Sequence, residues 1–141
     1  MTSSIPTRGQ IERNLTQRLQ ALYQEELGQR PRKVTCQFFD EKLAIVLEQI
    51  TTPAERFLVT NERQDFAENL RLQLDAAIKP KVLSLIEEIA GVSVNTILIN
   101  TDLNYAVSGI ITILTSAPLI RDPETIPKAK NKKVTNADSD K

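Results

Sequence analysis

The chain has 141 residues, 40% of them hydrophobic and 26% charged, enough apolar material for one buried core and too little length for a second domain. Lysine plus arginine balance aspartate plus glutamate at 18 each, so no overall field draws nucleic acid or an anionic membrane to the surface. Histidine is absent and Cys36 is the single cysteine, which excludes disulfide frameworks and the usual zinc cages within one chain.

Residues 1–7 are polar, lack the apolar centre of a secretory signal, and are expected to be flexible. No apolar run approaches the ~20 residues that cross a bilayer. The expected location is therefore cytoplasmic, with a membrane reached only through a partner.

From Arg8 to Leu27, residues Ile11, Leu15, Leu19, Leu22, Tyr23 and Leu27 recur at helical spacing, and Gly28 follows as a stop. This amphipathic helix needs a surface to lie on, either its own domain's sheet or another subunit. After the turn at Gln29-Arg30-Pro31 the period changes to alternation. Residues 33–39 read as a strand, Asp40-Glu41-Lys42 as a turn, and residues 43–50 as a second strand, apolar on both faces at its start. Such a strand requires cover on both sides.

Thr52, Pro53 and Glu55 form a helix start: a hydroxyl to accept a backbone N–H, a preset φ, and a carboxylate that reaches back to complete a capping box. A short helix, PAERFLV, ends near Thr60-Asn61. Asn61 with Gln64 is expected to cap a long helix whose stripe, Phe66, Leu70, Leu74, Ile78, Val82, Leu85, Ile86 and Ile89, runs to Gly91. Pro80 lies within that stripe and predicts a kink near Lys79, or two helices in tandem.

Alternation returns in residues 92–99, a turn is expected over 100–104, and a fourth strand follows over 105–115. Val107, Ile111 and Ile113 share one of its faces, Ile110 and Leu114 the other. Residues 116–141 carry three prolines and the cluster Lys128, Lys130, Lys132 and Lys133, and are expected to form a disordered tail.

The expected fold is α+β: a four-stranded, mostly antiparallel sheet from two β-hairpins, with two long amphipathic helices and a short one in the order α-ββ-αα-ββ. Residues 8–115 make the single domain. If the sheet's second face stays apolar and exposed, a homodimer would bury it.

Chemistry is hard to find. The four glycines are far apart, so there is no Gly-rich phosphate loop. Cys36 has no histidine to act as its base, and VTCQFF reads as half-buried filler. Glu55 suits a cap and the helix dipole better than catalysis. Glu25-Glu26 and Glu87-Glu88 read as solvated helix faces, and Asp40 and Asp102 as turn residues that cap their own backbone. Arg30, Arg32 and Lys33 beside Phe39 resemble parts of a base-stacking sheet, but neutral charge and 4% aromatics weigh against nucleic acid. No catalytic residue, cofactor or metal is expected.

The run GQIERNLTQRLQALYQEELGQRP, then a hairpin, the TTPAERFL helix start, a long helix ending IEEIAGVSV and a hairpin containing NTDLNY, resembles the MpsC-like family over residues 8–115. Gly9, Glu12, Gly28, Pro31, Thr52, Glu55, Arg71, Gly91 and Asp102 are the landmarks. The turn reads Gly28-Gln29-Arg30-Pro31 where the family shows Gly-Arg-Gly-Pro.

That bacterial family is named for a component of a sodium-translocating, membrane-potential-generating system linked to bicarbonate uptake. The resemblance implies a non-enzymatic accessory or regulatory protein linked to transport; the amphipathic first helix and the strands apolar on both faces add the expectation of a homo-oligomer that binds a protein partner, such as the cytosolic side of a transporter. The alternative is a small-anion or metabolite-sensing domain with a pocket between the long helix and the sheet, where Arg71 meets the anion. Arg30, Arg71 and Asp102 are the interaction candidates.

Overall fold

The computed structural model describes residues 5–128. Helix α1 (Arg8–Leu27) begins at Thr7, whose hydroxyl accepts the Gln10 N–H while the Gln10 side chain accepts the Thr7 N–H. Gly28, at φ 75°, ends it in the left-handed region that glycine occupies without penalty. Ile11, Leu15, Leu19 and Tyr23 form its buried stripe, as the spacing predicts.

Helix α2 (Pro53–Thr60) starts with the expected capping box between Thr52 and Glu55. Helix α3 (Gln64–Ala90) differs from expectation at two points. Asn61 closes α2, its side chain donating to the Phe57 carbonyl, and α3 starts after Arg63 with no side-chain cap. The helix also runs unbroken past Pro80, so it is not two helices in tandem. Ala76, whose carbonyl loses its donor to Pro80, is exposed, and water can take that donor's place.

Strands β1 (Lys33–Phe39), β2 (Lys42–Glu48), β3 (Val94–Asp102) and β4 (Val107–Leu114) form one antiparallel sheet in the order β1-β2-β4-β3. Strand β3 starts two residues later than predicted and extends through Asp102, so the turn falls on residues 103–106.

The register places Val34, Phe38, Leu43, Ile45, Leu47, Ile110, Leu114 and Ile97 on one buried face. Helix α1 packs over β1 and α3 over β3. Each fully buried aliphatic side chain there contributes ~1.5–3 kcal/mol relative to exposure. Among the described residues no element covers the opposite face: Val46 is 41% exposed, Ile111 42% and Leu98 61%.

The segment after β4 corrects the expected domain boundary. Residues 116–128 do not leave the domain at residue 116. They pass the C-terminus of α3, where the Leu119 N–H donates to the Ala90 carbonyl, and the N-terminus of α1, where the Arg121 N–H donates to the Pro6 carbonyl and Asp122 accepts the Arg8 N–H. The Asp40 N–H then bonds the Pro127 carbonyl, and Ile120 and Ile126 enter the core. Two buried isoleucines and these backbone bonds outweigh the polar composition of the segment. Residues 129–141, with three of the four clustered lysines, lie outside the described residues, as do residues 1–4.

Candidate functional site

In its second half α3 buries Ile78, Val82, Leu85 and Ile86, as the stripe predicts, but in its first half the buried face is rotated from the one the apolar residues predict. Phe66 is 64% exposed, while Ala67, Arg71 and Asp75 are buried in line with Ile78 and Val82. A helix that turns an arginine and an aspartate inward requires partners there, since an unpaired buried charge is strongly unfavourable.

Those partners come from three other elements. The Arg71 Nε donates to Glu55 Oε2 at 2.7 Å and Nη2 to Glu55 Oε1 at 2.6 Å, a two-point pair with both side chains almost wholly buried. Nη2 also donates to the Ile50 carbonyl at 3.2 Å, and Nη1 to Asp75 Oδ1 at 3.2 Å. Asp75 Oδ2 accepts the Thr101 hydroxyl at 2.8 Å, and Thr101 in turn shares a hydrogen bond with Ser108 on β4. Glu55 meanwhile closes the α2 capping box, accepting the Thr52 N–H at 2.8 Å. One network thus ties α2, α3, β3 and β4 together.

The two carboxylates are unequally served. For Glu55, burial disfavours the charged form, but the bonds from Arg71 and Thr52 prevail and hold its carboxyl below the ordinary value. For Asp75, burial prevails over the Thr101 and Arg71 bonds and pushes its carboxyl up. Arg71 resists the opposing effect of burial through both carboxylates and stays firmly protonated. The Tyr23 hydroxyl, buried and without a hydrogen-bond partner among the described residues, is pushed up by burial and then by the Asp75 charge.

Above the network opens a cleft of about 600 Å³ between α3 and the β3–β4 hairpin. Arg71 and Asp75 reach it from within; Glu68, Asp102, Asn100 and Asn104 line its polar sides; Leu72, Leu103 and Val107 line its apolar ones. The fold brings two of the predicted candidates, Arg71 and Asp102, to this cleft and leaves Arg30 elsewhere, bonded to Gln20.

Asp102 accepts the N–H groups of Asn104 and Tyr105, the turn-capping role expected of it. Four N–H donations to Glu55, Asp75 and Ile50 occupy Arg71, so little of it remains to meet an anion. Sequence reasoning missed Asp75, Thr101 and Ser108. The available signal was spacing: counting back from Ile86 through Val82 and Ile78 by steps of four, four and three reaches Asp75.

Among the described residues no group of three or more Cys, Asp or Glu is placed to hold a metal ion. Cys36 is paired at long range with the Thr16 hydroxyl, and burial pushes its thiol up to about 11. Among those residues, too, no helix is long and apolar enough to cross a membrane.

No curated protein and no solved structure matches the chain. Residues 7–116 match the family model described as Na+-translocating membrane potential-generating system (MpsC), and with most of its length inside that match the chain belongs to the MpsC family.

Proposed function

We propose that the protein is a cytoplasmic, non-enzymatic accessory or regulatory component of a sodium- and bicarbonate-linked transport system, and that it works as a homodimer that binds the cytosolic side of a membrane partner. Membership of the MpsC family supports the transport setting. The observation that carries the dimer is the uncovered sheet face, where Leu98 is paired with Ile111 in the register and Val46 lies diagonal to Ile111 across β2 and β4, all three exposed.

A second copy fits that face because its polarity suits self-pairing. Its centre is apolar, with Ala44 and Gly109 beside the three larger side chains. Its ends carry both signs, Lys33, Glu48 and Asp102 at one and Lys42 at the other. Two sheets stacked face to face would bury the centres and set charges of opposite sign at the rims.

The non-enzymatic reading has support from the state of the reactive groups. The Cys36 thiol is held protonated, and the buried charges are committed to one another.

Light scattering on the purified protein tests the dimer: a dimer is expected, and Val46→Glu with Ile111→Glu is expected to give a folded monomer. A wild-type monomer at about 100 μM would overturn it, since a Kd above that concentration is too weak for a standing dimer. Sodium-dependent bicarbonate uptake in cells lacking the protein tests the transport setting, and unchanged uptake would overturn that part.

A further inference from the structure

We propose that the cleft between α3 and the β3–β4 hairpin binds a small organic cation, an ammonium or guanidinium group carried on a short apolar stem. The inference does not rest on the dimer or on the transport partner.

Its volume of about 600 Å³ suits a small molecule. The charge inside is one-sided. Glu68, Asp75 and Asp102 line it, Glu55 lies directly behind, and the single cation among the described residues that line it, Arg71, gives two of its donations to Glu55, one to Asp75 and one to a carbonyl. An anion entering would meet these carboxylates with no free guanidinium face to receive it. A cation would meet Asp75, a carboxylate 94% buried and held by one hydroxyl and one guanidinium N–H, with acceptor capacity left over.

The walls decide what the cation is attached to. Leu72 stands 62% exposed at the cleft although it belongs to a well-packed helix, and Leu103 and Val107 continue the apolar lining. A bare metal ion would leave that surface wet, and no described group of carboxylates converges tightly enough to cage one. An alkylammonium or alkylguanidinium covers the leucines and places its charge toward Asp75.

Titration of the full-length protein with n-butylammonium, n-butylguanidinium, butyrate and inorganic phosphate, followed by NMR, tests the assignment. Saturable shifts of the Asn100, Thr101 and Gly109 amides are expected for the two cations only, with a Kd of about 1 mM for so small a probe. Glu68→Lys, at an exposed position, is expected to weaken both cations roughly tenfold. Leu72→Ser should weaken n-butylammonium and leave methylammonium unchanged, a split that loss of folding would not produce. Absence of saturation with both cations, an equal response to butyrate or phosphate, or affinities unmoved by both substitutions would overturn the proposal.

Discussion

Arg71 on α3 and Glu55 on α2 meet in a two-point ion pair whose nitrogen–oxygen distances are 2.7 and 2.6 Å, with side chains 3% and 1% exposed. The same carboxylate completes the α2 capping box. A local device for starting a helix therefore also anchors a residue 16 positions away. Removing the guanidinium leaves two buried carboxylates without their cation. Arg71→Met is expected to cost ~3–5 kcal/mol in urea unfolding, and Arg71→Lys somewhat less because it keeps the charge but loses the fork. A loss below ~1 kcal/mol for Arg71→Met would show the pair to be solvated after all.

The cap itself is separable from the ion pair. Thr52→Ala removes the hydroxyl that accepts the Glu55 N–H and donates to Glu55 Oε1, but leaves both Arg71–Glu55 bonds in place. A loss of ~1 kcal/mol is expected, well short of the Arg71→Met effect. Equal losses would mean that the cap holds Glu55 in position for Arg71, and that the two cannot be separated.

The pH dependence should run in opposite senses for the two carboxylates. Glu55 has a depressed carboxyl, so its stabilisation is present above the unfolded value of about 4.3 and is lost as pH falls through its folded value. Asp75 has a raised carboxyl, so its favourable contribution is present below the unfolded value of about 3.9 and is lost as pH rises through its folded value. Asp75→Asn should therefore gain stability relative to wild type as the solution goes from acidic to neutral, and Glu55→Gln should lose it. Denaturant curves at a series of pH values measure both slopes; parallel slopes for the two variants would contradict this assignment.

The elements and their caps were legible because periodicity and end signals are local properties. Thr52, Pro53 and Glu55 announced α2, and the stripe from Ile11 to Tyr23 announced the face of α1. The inward face of the first half of α3 was not legible from hydrophobicity, since Phe66 and Leu72 there are exposed and Arg71 and Asp75 buried. What turns the helix is a partner on α2 and another on β3, and such pairing is tertiary information. A pocket between the long helix and the sheet was expected, with Arg71 in it. The floor of that cleft was hidden for the same reason: Asp75 and Thr101 are 26 positions apart and meet only once β3 lies against α3. Ile120 and Ile126 were masked differently, as two apolar residues averaged into a proline- and lysine-rich segment.

That segment gives a further test. Ile126 is 5% exposed and joins the core beside the β1–β2 turn, where the Pro127 carbonyl accepts the Asp40 N–H. Ile126→Ala is expected to cost ~2–4 kcal/mol, as for other buried isoleucines. A chain ending at residue 115 should lose more than this, through Ile120, Ile126 and the backbone bonds together. Unchanged melting of the shortened chain would restore residue 115 as the end of the domain.

Cys36 offers a readout of packing between α1 and β1. Burial pushes its thiol up to about 11, with the Thr16 hydroxyl bond opposing that rise. At pH 8 the thiolate is then roughly 0.1% of the population, against roughly a quarter for an unperturbed cysteine. Reaction with a disulfide reagent in native buffer should accordingly be at least ~100-fold slower than in denaturant, where the group regains its ordinary value. Thr16→Val removes the hydroxyl that favours the thiolate and should slow the native reaction further. Native reactivity equal to that of the unfolded chain would mean that α1 does not shield β1 in solution, and the packing of the first helix on the sheet would need revision.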